Sequence, residues 1–322
     1  MRAVQLASLE GPDGLELADL PVPASGDRLL IEVHAAGVGF PDLLMTRGRY
    51  QFRPEPPFVP GIEVAGVVSA APSGTPFQPG DRVAAWSALG GWAEYALAAP
   101  ATTFAIPDGM SFAAATSLVN YQSAYFGLVE RGAARAGETV LVHGAAGGVG
   151  SAAVDLARAL GLTAIAVAKG DDKLEVARSL GAAHCLDADG DWLAAVRGIT
   201  ADRGVDLVFD PVGGERFLDS VRALSVGGRL LVVGFAGGSI PEVKVNRLLL
   251  RNTSVVGVAW GEYVRHDPEM PRRVGWRLAE LWQADKIHPL IGPTFPLERA
   301  ADALREIEGR RAVGKVVLTV RD

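Results

Sequence analysis

With 322 residues, 49% of them hydrophobic and 21% charged, the chain can bury two separate cores and is neither disordered nor fibrous. A net charge of −6, from 31 Lys and Arg against 37 Asp and Glu, removes the electrostatic case for nucleic-acid or anionic-membrane partners. The single cysteine, Cys185, excludes an internal disulfide and a cysteine-built metal cage, and is expected to be a small buried side chain.

At the N-terminus, MRAVQLASLE lacks the apolar core and cleavage site of a secretory signal, so a cytoplasmic protein is expected. Short strands are predicted over Arg28–Val38, Ile62–Ala70, Arg82–Trp86, Trp92–Leu97 and Thr102–Ile106. Gly- and Pro-rich turns separate several of them, and together they describe a small β-barrel. The uncharged stretch Gly109 to Val129 is long enough to cross a bilayer. Ser111, Thr116, Ser117, Asn120, Gln122 and Ser123 interrupt it, so it reads as buried helix. Beyond residue 138, apolar runs alternate with helical segments, the pattern of βαβ units on a parallel sheet. Six strands are predicted there: Thr139–His143, Thr163–Ala168, His184–Leu186, Val205–Asp210, Arg229–Phe235 and Thr253–Trp260, enough for a complete doubly wound sheet. Val149, Ala152, Ala153, Leu156, Ala157 and Leu160 fall at helical spacing after the first strand, with Gly161 as the stop. From about Gly261 the chain holds helical stretches and one more strand, Lys315–Val320, too little for a third domain, and is expected to return to the first.

Val140 to Gly150 reads VLVHGAAGGVG, a dinucleotide fingerprint aligned on Gly147 and Gly150 with Ala145 in the first glycine's place. Gly147 and Gly148 allow the backbone to approach a pyrophosphate, Val149 follows them, and Gly150 lets the helix lie on the strand. The helix N-terminus then offers N–H groups and partial positive charge to phosphate. At the end of the second strand an NAD site would place an acid against the ribose 2′-hydroxyl. Lys169 stands there instead and Lys173 follows within a turn, which favours the 2′-phosphate of NADPH. Asp171 and Asp172 are the alternative, as ribose ligands or as caps of the next helix.

The whole chain resembles the medium-chain dehydrogenase/reductase superfamily and, within it, the quinone oxidoreductases related to zeta-crystallin. The matching segments are AAGVGFPDLLMTRGRYQ, PFVPGIEVAGVV, PGDRVAAWSALGGWAEYAL, VLVHGAAGGVGSAAVDLARALG, DLVFDPVGGERF and AVGKVVL, in family order over nearly the full length. The resemblance implies a GroES-like β-barrel catalytic domain, residues 1–120 with 261–322, and an inserted Rossmann domain, residues 121–260. Zinc-dependent relatives draw a cysteine ligand from the segment matching Gly37 to Asp42 and a histidine from that matching Gly61 to Gly66. Here Gly39 and Ile62 stand at those points and only Glu63 remains. A catalytic zinc needs about three protein ligands, so no metal site is expected.

Without a Lewis acid the hydride acceptor must be electrophilic by itself, as quinones and α,β-unsaturated carbonyls are. The resemblance places Tyr50, Asp42 and Ser123 at the substrate and nicotinamide, with Asp42 also able to cap the helix that follows it. Gly234 and Phe235, at a strand's carboxyl end, are placed near the nicotinamide, and Asn246, Arg311 and Lys315 are further cofactor candidates. Departures from the family pattern are Gly39 for an asparagine, Gly170 for a serine or threonine beside the 2′-phosphate, and Ala188 for a tyrosine after the third strand. The five histidines show no ligand spacing. The apolar strand Thr253–Trp260 is expected at a sheet edge, where relatives form a homodimer. Two other functions fit the same pattern. One is an enoyl thioester reductase, with Arg47, Arg49 and Arg53 near the cleft for a coenzyme A tail; the other is a nucleotide-binding sensor without turnover.

Overall fold

The computed structural model describes residues 1–321. Its strands are β1 (Arg2–Leu6), β2 (Leu15–Asp19), β3 (Leu29–Val38), β4 (Glu63–Ala70), β5 (Arg82–Trp86), β6 (Tyr95–Ala98), β7 (Thr103–Ala105), β8 (Thr139–His143), β9 (Thr163–Ala168), β10 (His184–Asp187), β11 (Val205–Asp210), β12 (Leu224–Val232), β13 (Ser254–Gly257), β14 (Ile291–Pro296) and β15 (Lys315–Thr319). They divide between two units, the first built from Met1–Val119, Asp267–Gln283 and the residues from Pro289 onward, the second from Asn120–His266 and Ala284–His288.

In the first unit, seven strands run in the order β14-β15-β3-β4-β5-β7, with β6 also paired to β3. β3 is the hub. Its first half alternates buried and half-buried residues, and its last four are wholly buried where β4 and β15 flank it. The core inside is made by Leu29, Ile31, Val33, Val64, Val68 and Trp92 with Val316 and Leu318 of β15. Burying each large apolar side chain contributes about 1.5–3 kcal/mol. β1 and β2 form a separate antiparallel pair that the sequence pattern does not reveal.

The second unit is a six-stranded, wholly parallel sheet in the order β10-β9-β8-β11-β12-β13. Counted from β8 this is 3-2-1-4-5-6, the doubly wound arrangement. Val140, Leu141 and Val142 on β8 and Leu207, Val208 and Phe209 on β11 are fully buried, as central parallel strands covered on both faces require. The helix Gly148–Ala159 buries Ala152, Ala153, Leu156 and Ala157. It ends in a Schellman closure: Gly161 N–H donates to the Arg158 carbonyl at 3.1 Å and Leu162 N–H to the Ala157 carbonyl at 2.8 Å, with Gly161 at φ +74°.

Three predicted strands shift. The run expected at Trp92–Leu97 is a strand over Tyr95–Ala98. The run expected at Arg229–Phe235 begins at Leu224 and ends at Val232, leaving Gly234 and Phe235 in the loop beyond. The stretch Thr253–Trp260 is a strand only over Ser254–Gly257, and a helix starts at Trp260. The uncharged segment predicted as buried helix is the succession Phe112–Ala115, Leu118–Tyr125 and a π-helical turn Phe126–Arg131. No helix among the described residues is long and apolar enough to cross a membrane.

Candidate cofactor and substrate site

β8 runs into the glycine turn at the carboxyl end of the parallel sheet. The positive φ of that turn falls on Gly144, at +59°, so Ala145 is accommodated, fully buried, with its N–H on the Val167 carbonyl at 3.2 Å. A Cβ at Gly150 would overlap the Gly144 carbonyl and lie 3.1 Å from Ala145 Cα, so only glycine lets this helix seat on the turn. Gly147 is the N-cap of Gly148–Ala159 and provides no side-chain cap, and Val149 lies in the first turn. The amides of that turn have no intrahelical acceptor and face whatever lies beyond it. Asn120 Oδ1 sits 3.1 Å from where a Gly148 Cβ would be and has no hydrogen-bond partner among the described residues.

At the end of β9, Gly170 (φ +89°) caps the helix Asp171–Ser179, which carries Asp171, Asp172 and Lys173 in its first turn. Lys169 is drawn to a different acid: its Nζ lies 2.7 Å from Asp189 Oδ2, and Arg216 approaches Asp189 Oδ1 at 3.9 Å. The hydrogen bond from Lys169 holds the Asp189 carboxyl below the usual range. Sequence reasoning missed Asp189 and Arg216, which lie on segments beyond β10 and β11 and come beside Lys169 only through strand order.

The loops after β11 and β12 close on each other. Asp210 Oδ1 accepts the N–H groups of Val212 at 2.8 Å and Gly213 at 2.9 Å, and Gly213 (φ +62°) lies against the Phe235 ring. Gly234 packs over the Pro211 carbonyl, where a Cβ would stand at 3.2 Å. Asn246 is exposed at the start of the helix Asn246–Arg251. Beneath the glycine turn, His143 is buried, with Nε2 2.9 Å from Ser220 Oγ and its ring edge-on to Trp192 at 5.0 Å. Burial pushes its imidazole down to about 4. Ser123 is half-buried on Leu118–Tyr125, and on the same helix Tyr121 donates to the buried Asp155 at 2.6 Å.

In the first unit, Asp42 lies in the first turn of the helix Phe40–Thr46 and accepts the Gly39 N–H at 2.8 Å, the capping role open to it from its sequence position. Burial pushes its carboxyl up to about 6 against that hydrogen bond and the Lys315 ammonium. Lys315 is itself buried and ion-paired with Glu63, and burial lowers it to about 8. Arg311 is paired with Glu306 at 2.9 Å, Arg47 with Glu308, and Arg53 donates to the Tyr50 carbonyl at 3.0 Å, with the Tyr50 side chain half-buried. Lys315, a cofactor candidate from the sequence, thus has a partner 252 residues away in the chain.

Two family models match, the alcohol dehydrogenase GroES-like domain over residues 25–108 and the zinc-binding dehydrogenase over residues 148–274. The chain is 36% identical to the quinone oxidoreductase-like protein 2 of Bos taurus, over 99% of this chain and 93% of that protein. Among solved structures, a probable oxidoreductase from Mycobacterium abscessus is similar at 43% identity and TM-score 0.90, covering 99% of each chain. The quinone oxidoreductase from Thermus thermophilus, solved also in complex with NADPH, is similar at 36% identity and TM-score 0.84, covering 99% of this chain and all of that one.

The description of the second family model implies zinc, and the residues present do not fit it. Gly39 and Ile62 have no ligating side chain, Glu63 is committed to Lys315, and no group of three or more His, Cys, Asp or Glu among the described residues could hold a metal. End-to-end likeness at this identity places the chain in the quinone oxidoreductase family of the medium-chain dehydrogenase/reductase superfamily.

Proposed function

We propose that this enzyme reduces a small quinone or α,β-unsaturated carbonyl with NADPH and without a metal. The observation that carries the reading is the glycine turn Gly144–Gly150, opened at the carboxyl end of a 3-2-1-4-5-6 sheet with Lys169 and Arg216 gathered at the neighbouring strand ends. The NADPH complex of the similar Thermus thermophilus enzyme supports the same coenzyme here. Bound NADPH supplies a hydride.

The chain's own residues then have separable tasks. Amides of Gly148, Val149 and Gly150 hold the pyrophosphate, with Ala145 and Gly147 shaping the approach. Lys169, Lys173 and Arg216 meet the 2′-phosphate. Gly234 and Phe235 line the nicotinamide end, with Ser123 beside it, and Asn246 and Arg311 are secondary contacts. Tyr50 and Asp42 belong to the substrate side. Because the chain lacks a ligand set for a Lewis acid, the acceptor must draw the hydride by its own electrophilicity, and a proton from water or a neighbouring hydroxyl completes the two-electron reduction. The protein is a homodimer joined at β13, which pairs only with β12 among the described strands and follows a helix that exposes Leu249 and Leu250.

The test is loss of NADPH absorbance against a panel of ortho-quinones, para-quinones, enones and enoyl-CoA esters. Turnover is expected with quinones or enones. Nucleotide binding without oxidation by any acceptor would overturn the enzymatic reading, and turnover confined to enoyl-CoA esters would replace the substrate class.

A further inference from the structure

His143 ends β8 and immediately precedes Gly144, where the chain turns toward the helix Gly148–Ala159. It is fully buried, and of its two ring nitrogens only Nε2 is bonded, 2.9 Å from Ser220 Oγ; Nδ1 has no hydrogen-bond partner among the described residues. An imidazole buried on one bond costs stability that an apolar side chain in the same place would not. That one bond leads out of the core.

Its direction is fixed by the group beyond it. Ser220 Oγ also lies 3.0 Å from the Arg216 carbonyl, which can only accept, so the hydroxyl proton goes there and Oγ receives its other bond from His143 Nε2–H. His143 is thus the neutral Nε2–H tautomer, the charge state that burial of the ring also favours. A relay runs from His143 through Ser220 to the Arg216 carbonyl, each donor used once.

Arg216 closes the short turn Gly214–Arg216 ahead of the helix Phe217–Ala223, and its guanidinium comes within 3.9 Å of Asp189, the acid that holds Lys169. On its other side the His143 ring meets Trp192 edge-on at 5.0 Å, at the start of the helix Trp192–Ile199 that follows Asp189. One buried ring therefore touches, directly or through one hydroxyl, the starts of both helices whose leading residues gather beside Lys169.

We propose that His143 is a positioning residue for coenzyme choice: through Ser220 it fixes the Arg216 backbone, and with it the guanidinium, so that the strand leading into the glycine turn also sets the cation that meets the 2′-phosphate. The inference rests on the reading of Arg216 as a 2′-phosphate contact. Loss of the relay then weakens NADPH and spares NADH, which has only a hydroxyl at that position.

The test measures dissociation constants of NADPH and NADH by coenzyme fluorescence, with no acceptor present, in wild type, Ser220→Ala, His143→Leu, His143→Gln, Arg216→Ala and Ser220→Ala/Arg216→Ala. NADH affinity reports that the site is still folded. Ser220→Ala and His143→Leu are expected to weaken NADPH about fivefold relative to NADH, the scale of one neutral hydrogen bond. His143→Gln, whose amide can donate from the place of Nε2, is expected to keep most of the preference. Arg216→Ala should lose about tenfold, the scale of a charge-assisted contact. Adding Ser220→Ala to it should lose no more, because the relay acts only through Arg216. Equal weakening of both coenzymes in Ser220→Ala, or losses that add in the double variant, would overturn the proposal. A wild type that binds the two coenzymes equally would overturn the NADPH reading itself, and this inference with it.

Discussion

Asp189 accepts Lys169 at 2.7 Å and draws Arg216 to 3.9 Å, so a carboxylate already stands among the cations proposed for the 2′-phosphate. Two anions cannot share that place, and the coenzyme must displace Asp189 from Lys169. Asp189→Asn is expected to lower the Michaelis constant for NADPH several-fold and leave NADH unchanged. Lys173→Ala should raise it about tenfold for NADPH alone, the scale of one charge-assisted hydrogen bond. Lys169→Ala should cost more than Lys173→Ala, because it removes a cation and frees an anion together. Steady-state kinetics with both coenzymes decides; equal shifts for NADH and NADPH would return the ribose to Asp171 or Asp172. His143 carries a different prediction. Its folded value of about 4 lies below the ordinary 6.5, so the unfolded chain takes up the proton first, and stability present above pH 6.5 is lost as pH falls toward 4. Asp42, pushed up to about 6, acts in the opposite sense over part of that window. The difference between wild type and His143→Gln in urea unfolding is therefore the measure, and it should shrink from pH 7 to pH 4. The glycine turn is legible in the sequence because its chemistry is local. Asp189, Ser220 and the burial of Lys315 are not, because each depends on strands distant in sequence.

Among the elements, the helix Gly148–Ala159 closes through Gly161 in the left-handed region, where a built Cβ would meet Ala136 Cβ at 3.4 Å without severe overlap. Gly161→Ala should therefore cost about 1–2 kcal/mol by urea unfolding, from backbone strain, with coenzyme affinity unchanged. Gly150→Ala should instead abolish nucleotide binding, since its Cβ overlaps the turn itself. The strands of the parallel sheet are readable because burial on both faces makes them continuous apolar runs. The strand predicted from Arg229 starts after Gly227 and Gly228, whereas β12 starts before them. They form an irregularity between the pairs Val205–Leu224 and Leu207–Arg229, where Val226 is turned out 71% exposed, and the strand continues through it. The run Thr253–Trp260 overextends its strand because periodicity does not separate a short apolar strand from the start of a buried helix. β13 carries the assembly prediction: light scattering should give a dimer at micromolar concentration, and Val255→Glu, on this edge strand, should give a monomer.

For the whole molecule, ligand chemistry is the most decisive property. Purified enzyme should contain no stoichiometric zinc, and chelators should leave turnover unchanged; one zinc per chain that turnover requires would refute this. The two units also differ in how their chain is gathered. Apart from Ala284–His288, tied in by the Asp155 carboxylate on the His288 N–H at 2.6 Å, the parallel-sheet unit is one continuous segment, Asn120–His266. The other unit is not. β15 lies between β14 and β3, with Val316 opposite Val38. A ribosome therefore releases nearly all of the parallel sheet before the barrel's interior strand exists. While the nascent chain waits, β3 presents an open edge, and the Glu63 carboxylate, due to be buried, has no cation until residue 315 emerges. The order of synthesis makes the dinucleotide unit an early folder and the barrel the late, chaperone-exposed half, and chains halted before β15 should be protease-resistant over residues 120–266 and cleaved throughout residues 1–119.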